Sequence, residues 1–295
     1  PRLAILNRDD SSYAYLSGVS TVHHVSYGVG SKADLVAENI HLSDTGSGFT
    51  AVGNAAAGAF RVDITTGLPG LYNISNCLAA LGATVVGASV DPQIAARGLA
   101  SALPVPGRME RIEAGQDFTA IVDFAHTPNA LKAALEASRR VVTHSAKGGR
   151  VIAVFGSAGL RDRAKRRMMA EVAAANADFM VLTAEDPRTE SLDLILNEMA
   201  EGARSKGGRE GVTFWKVPDR GEAIRFAVGM ARPGDLVIAC GKGHEQSMCF
   251  GYKEHPWDDR TALRAALCER LGLPGPKMPY LPTRDQPEKD WIKLP

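Results

Sequence analysis

An α/β fold is predicted, with a mostly parallel sheet in the C-terminal two thirds and a β-rich segment with a helical end before it. Two observations predict it. After residue 117 the apolar runs FTAIVDF, RVIAVFG, DFMVLTAE and DLVIACGKG each lead into a helical stretch. Strands that recur between helices pair in parallel, with helices on both faces. Before residue 67 the runs RLAILN, HHVSYG and FRVDITTG are short, apolar or alternating, and divided by Gly, Ser and Asp, as strands and turns are.

Taken in order, PRLAILNRDD starts directly on a strand and reads as the middle of a domain. Over 71–103 the texture is helical, with Leu71, Ile74, Leu78 and Leu81 at helical spacing. Asp91 and Pro92 form an N-cap and first helical residue. PVPG at 104–107 is a linker, and Thr127 with Pro128 opens the next helix. The tail PYLPTRDQPEKDWIKLP is proline-rich and expected to be poorly ordered.

At 295 residues the chain suits two domains. Its net charge of +1 implies no general pull toward nucleic acid or a membrane surface. Four scattered cysteines without a C-x-x-C fit a reducing compartment and buried thiols, not a metal site or disulfides. No apolar run approaches the ~20 residues that span a bilayer, and no signal peptide opens the chain, so a cytoplasmic location is expected.

In parallel sheets, ligands gather outside the carboxyl ends of the strands. Polar residues follow the predicted strands in four clusters: Asp123 and His126; Arg161 and Asp162; Glu185, Asp186 and Arg188; Lys242, His244 and Glu245. Any one of them is also what an ordinary polar loop looks like. In FGSAGLRDRAKRR, Gly156 and Gly159 permit a tight turn before a helix whose N-terminus favours anions. The stretch lacks the remaining glycines of a dinucleotide fingerprint, the Lys-Ser/Thr of a P-loop and the aromatics of a nucleic-acid patch. The Arg161 guanidinium suits a carboxylate or phosphate. TAEDPRTES is either a turn or a pocket in which Asp186 takes an ammonium and Arg188 a carboxylate. In GKGHEQ, Gly241 and Gly243 let the backbone approach a ligand, while His244 and Glu245 are an acid/base pair or a structural one. Asp123 could accept ribose hydroxyls or simply lead into a helix.

Together and in this order, GLYNISNCLAAL, GRME, VDFAHTPNAL, VFGSAGLRDRAKRRMM, LTAEDPRTE and ACGKGHEQ resemble the Mur ligases of peptidoglycan synthesis. The nearest type, MurE, adds the third residue of the stem peptide. AILNRDD and WDDRTALRAAL match as well, so the resemblance covers almost the whole chain. It implies ATP-dependent amide formation, in which the carboxyl end of UDP-MurNAc-L-Ala-D-Glu becomes an acyl phosphate and the amine of a diamino acid attacks it. It also implies the end of a central ATP-binding domain over 1–104 and a Rossmann-like, amino-acid-binding C-terminal domain over 105–295, in a cytoplasmic monomer. The family's P-loop, carbamylated lysine and Mg²⁺ ligands would lie upstream, so the chain resembles a fragment that is inactive alone and holds no metal itself.

Residue by residue, the resemblance puts Asn73, Asn76, Arg108, Asp123 and His126 at the nucleotide, and Arg161, Asp186, Arg188, Gly243 (or its neighbour) and Glu245 at the amino acid. The family's D-N-P-R signature for meso-diaminopimelate reads Glu185-Asp186-Pro187-Arg188 here. The added charge of Asp186 favours lysine or ornithine if Asp186 pairs with Arg188. If Asp186 turns away, Arg188 is free for the second carboxylate of diaminopimelate. The leaning is to lysine or ornithine. Other readings are another ATP-dependent amide ligase, such as a folylpolyglutamate or cyanophycin synthetase, or a non-catalytic binding module.

Overall fold

A computed structural model describes residues 3–43, 46–144 and 148–285. The chain divides into two compact units, Pro1–Pro104 and Val105–Pro295.

The first unit runs β1 (Ala4–Asn7), α1 (Tyr13–Val19), β2 (His24–Gly28), β3 (Leu35–Ser43), β4 (Gly46–Gly53), β5 (Arg61–Thr66), α2 (Leu71–Leu81) and α3 (Pro92–Ala100). Its strands form one sheet in the order β1-β2-β3-β4-β5, parallel as far as β3 and antiparallel beyond. Helix α2 lays Ile74, Cys77, Leu78 and Leu81 into a core with Val25, Leu35, Phe49 and Ile64. Leu71, expected on that face, is exposed. Asp91 caps α3 as expected, accepting the N–H groups of Gln93 at 2.8 Å and Ile94 at 3.2 Å.

The second unit runs β6 (Glu110–Arg111), β7 (Thr119–Asp123), α4 (Pro128–His144), β8 (Val151–Phe155), α5 (Ala164–Asn176), β9 (Phe179–Leu182), α6 (Leu192–Ser205), β10 (Phe214–Lys216), α7 (Arg220–Met230), β11 (Leu236–Cys240), β12 (Ser247–Phe250), β13 (Lys253–Pro256) and α8 (Asp259–Leu271). The sheet order is β10-β9-β8-β11-β7-β6, parallel except for β6, with β12 and β13 as a separate hairpin. Strands β8 and β11 are buried throughout, VIAVF and LVIAC, as central parallel strands must be. Helices α4, α5 and α6 pack in series, and α7 packs with α8. The loops after β8 and β11 therefore lead to different helix layers, which is where such sheets open a crevice.

The tail is partly packed. Leu281 is buried and Thr283 donates to Asp219 at 2.8 Å; residues 286–295 lie outside the described residues.

A buried ion pair holds this sheet together at the crevice. Arg220 and Asp259 are both fully buried and joined bidentately, each contact at 2.7 Å. Arg220 also donates to the carbonyls of Ala184 at 3.2 Å and Cys240 at 2.8 Å, just after β9 and at the end of β11. The Trp257 indole donates to Asp259 at 2.8 Å. Every charge is answered, and removing one partner strands the other without water. Asp259→Ala should therefore destabilise this unit by about 3–5 kcal/mol, and joint replacement by Arg220→Met and Asp259→Leu should recover most of that loss. Urea unfolding of the variants checks both.

Candidate functional site

The parallel register brings the strand ends level. Cys240 faces Asp123, Ala239 faces Val154 and Phe155 faces Leu182. Among the described residues of the second unit, the non-glycine ones at positive φ are Met109, Leu160, Asp186 and Arg188, and all lie on this edge. Such residues cost of order 1 kcal/mol each and persist where the surroundings impose them. Here the loops after β8 and β9 are pressed together: Gly159 donates to the Asp186 carbonyl at 2.9 Å, and a Cβ on Gly159 would lie 2.0 Å from the Pro187 carbonyl.

Asp186 does not pair with Arg188. Its Oδ1 accepts the Lys242 ammonium at 3.0 Å and the Cys249 N–H at 2.9 Å. Lys242 is 2% exposed and also reaches Glu245 at 2.6 Å, so one ammonium lies between two carboxylates. Burial opposes that ammonium, but the Asp186 charge and the hydrogen bonds to both carboxylates raise its pKa overall. Arg188 is held by its backbone, donating to the Cys249 carbonyl at 3.1 Å and accepting from Gly251 at 2.7 Å. Its Nε is buried without a hydrogen-bond partner. Arg161 is exposed. Asp186 thus has its counter-charge in Lys242 and does not occupy Arg188, so the Asp186–Arg188 pair on which a preference for lysine or ornithine rested is not formed.

The basic run after Arg161 is answered within the protein. Arg166 is buried, not solvated, and pairs with Glu190 and with Glu198, the latter at 3.0 Å, while Arg163 also meets Glu198. Two glutamates from outside α5 answer this basic helix start, so it needs no anionic ligand.

On the β7 side, Asp123 is buried and accepts the N–H groups of Met109 and Ala125, each at 2.8 Å. Burial raises its pKa, against these bonds and the Arg108 charge. Beside it Phe124 is a small platform. The Arg108 guanidinium lies 4.4 Å above its ring, and His126 and His244 pack at 4.5 and 4.8 Å. The His126 Nδ1 lies 3.0 Å from the Phe124 carbonyl, which can only accept, so Nδ1 is the donor there and, in the neutral ring, Nε2 is the acceptor. Gly243, at φ 52°, presses on Phe124, 2.6 Å from where its Cβ would lie. This crowding accounts for that glycine. In the first unit, Asn73 donates to the Pro69 carbonyl at 2.8 Å and accepts from the exposed Asn76 at 3.3 Å.

Ser157 Oγ, Arg166 Nε, Glu185 Oε2 and Arg188 Nε are the buried side-chain atoms without a hydrogen-bond partner among the described residues. All lie after β8 or β9, where buried polar atoms left without a partner call for an explanation. No group of three or more His, Cys, Asp or Glu among the described residues could hold a metal ion. None of the described helices is long and apolar enough to cross a membrane.

Comparison with known proteins gives this edge a context. The Mur ligase middle domain matches residues 1–84, and the Mur ligase glutamate ligase domain matches residues 107–243. The chain belongs to the Mur ligase family. Among curated Mur ligases it is 39% identical over 273 residues to the UDP-N-acetylmuramoyl-L-alanyl-D-glutamate–2,6-diaminopimelate ligase of Geobacillus thermodenitrificans, covering 92% of this chain and 52% of that protein. It is 42% identical over 279 residues to the UDP-N-acetylmuramyl-tripeptide synthetase of Roseiflexus sp., covering 93% and 52%. The chain spans about half the length of these relatives. A solved UDP-N-acetylmuramoyl-L-alanyl-D-glutamate–2,6-diaminopimelate ligase aligns with TM-score 0.57 and 29% identity over 92% of this chain and 54% of that one. The folylpolyglutamate synthase of Mycobacterium tuberculosis, at TM-score 0.60 and 14% identity over 92% and 56%, shares the fold alone.

In this Mur ligase chain the residues without an assigned role in the sequence are the ones that organise the edge: Lys242, Phe124 and Glu185. Two flanking glycines after a buried strand were the signal available for Lys242. Glu185 lies against Gly241, 3.0 Å from where its Cβ would stand. Burial pushes its carboxyl up to about 7, against the pull of Lys165, Arg220 and Lys242 and with a push from Asp186. A carboxyl raised in the folded state imposes no cost below its unfolded pKa, and its stability contribution is lost as pH rises through the folded value. Glu185→Gln should therefore match the native chain near pH 4.5 and exceed it by up to about 3 kcal/mol above pH 7. Denaturation of both at pH 4.5 and 8 checks this; a difference that did not change between the two pH values would show that the Glu185 carboxyl titrates alike in the folded and unfolded chain.

Proposed function

We propose that this chain carries the amino-acid site and part of the nucleotide site of a ligase that joins meso-diaminopimelate to UDP-MurNAc-L-Ala-D-Glu at the expense of ATP. The observation that carries the reading is the uncommitted Arg188 guanidinium, with its buried Nε unpartnered beside an Asp186 that is already neutralised. A part-buried guanidinium with a free fork suits a carboxylate, and diaminopimelate has one at each end. Arg161 is available for the α-carboxylate. Glu245, half-exposed beside Lys242, has a second oxygen for the distal ammonium. These groups orient the diamino acid so that its reacting amine can be presented to an activated carboxyl.

ATP, when bound, supplies the phosphoryl group that activates that carboxyl. The residues fit a nucleotide: Phe124 with Arg108 offers a flat cationic stack, the His126 Nε2 an acceptor, and each Asp123 oxygen retains a lone pair for a ribose hydroxyl. In the first unit, Asn73 and Asn76 are proposed as nucleotide-binding residues on the strength of the family resemblance. No residue of this chain is assigned to magnesium. The ligase acts in the cytoplasm as a monomer.

The test uses the full-length protein containing this chain. ADP release should require both UDP-MurNAc-L-Ala-D-Glu and meso-diaminopimelate. Arg188→Ala should raise KM for diaminopimelate at least thirtyfold, about 2 kcal/mol of lost charge pairing, with KM for ATP little changed. Equal effects on both KM values, or none, would remove Arg188 from the amino-acid site.

A further inference from the structure

The Lys242 side chain has little freedom in where it starts. Gly241, at φ 113°, donates to the Asp123 carbonyl at 3.1 Å, and the Glu245 N–H closes a turn on the Lys242 carbonyl at 2.8 Å. Gly243 is wedged against Phe124 and the Gly107 carbonyl. The ammonium therefore projects from a rigid turn into a buried position, and its partners are Asp186 and Glu245. Asp186 has a second restraint in the Cys249 N–H, on the same β12 residue whose carbonyl receives the Arg188 N–H. Lys242 and β12 thus hold the Asp186 carboxylate on one side while the backbone of Arg188 is fixed independently of it.

Without Lys242, Asp186 would be a partly buried anion in need of a counter-charge, which Arg188, two residues along the same loop, or the far ammonium of a bound amino acid could supply. Both alternatives select against a second substrate carboxylate: the first occupies the guanidinium, and the second rewards a side chain ending in an amine alone. We propose that Lys242 is a positioning residue for side-chain selection, whose ammonium neutralises Asp186 and keeps it off Arg188, so that Arg188 stays open to the second carboxylate of the incoming diamino acid. This rests on the ligase reading above. The recognised chemistry is a diamino acid carrying a carboxylate at each end, and lysine is the competitor excluded.

The experiment measures kcat and KM for meso-diaminopimelate and for L-lysine, separately, with the full-length protein and its Lys242→Met, Asp186→Asn and doubly substituted variants, with melting temperatures alongside. Lys242→Met should raise KM for diaminopimelate at least tenfold, leave kcat within about threefold, and leave KM for lysine unchanged or lower. Once Asp186 is neutral, the remaining partner of Lys242 is Glu245, whose half-exposed carboxylate water can solvate, so the double variant should match Asp186→Asn in KM for diaminopimelate within threefold. That second comparison holds even if Lys242→Met alone fails to fold, because the double variant leaves no unpaired Asp186. Parallel losses for both amino acids, or a double variant tenfold worse than Asp186→Asn, would overturn the proposal by making Lys242 a general structural support. A native enzyme that ligates neither amino acid would sink the ligase reading itself, and the selection role with it.

Discussion

Arg220 closes the carboxyl edge of the sheet from within, and the loops above depend on it. One guanidinium is shared between the Asp259 carboxylate and the carbonyls of Ala184 and Cys240. An apolar side chain of the same size would fill the space, but it would not fix the directions in which β9 and β11 end. Glu185 and Gly241 are the next residues on those two strands, and Lys242 follows. The directional demand of a fully satisfied buried cation therefore passes into the position of the charged loops. The positive φ of Leu160, Asp186 and Arg188 is held more locally, by Glu190 on the Leu160 N–H and by Cys249 on the Asp186 carboxylate and the Arg188 N–H, since strained backbone persists only where its surroundings over-determine it.

Charge at this edge is distributed in a hierarchy of burial. Arg166 and Arg220 are consumed by Glu190, Glu198 and Asp259 and serve architecture. Lys242 is buried but shared, setting the state of Asp186 and Glu245 without exposing its own charge. Arg161 and Arg188 keep hydrogen-bonding capacity in reserve. A site for a zwitterion with charges at both ends needs this last class, because every group already satisfied by the protein has less to offer a ligand.

Much of this was legible in the sequence. Alternating apolar runs and helices located β7, β8, β9 and β11, and parallel pairing then placed Asp123, Glu185, Asp186, Arg188 and Glu245 on one edge. Local capping chemistry located α3 through Asp91. Strand β10 escaped notice because three residues carry no measurable period, and α7 because its apolar face is assembled mostly from small residues and one buried arginine. The partner of Asp186 could not be read, because Lys242 lies 56 positions away and the pairing depends on how two separate loops meet. The burial of Arg166 could not be read for the same reason, because the glutamates that cover it come from the loop after β9 and from α6.

The most direct measurement is a crystal structure of the chain with meso-diaminopimelate bound. The account predicts one carboxylate on the Arg188 guanidinium, the distal ammonium against Glu245, and Asp186 still on Lys242. A bound ligand that leaves Arg188 empty, or whose ammonium takes the place of Lys242 between the two carboxylates, would contradict it.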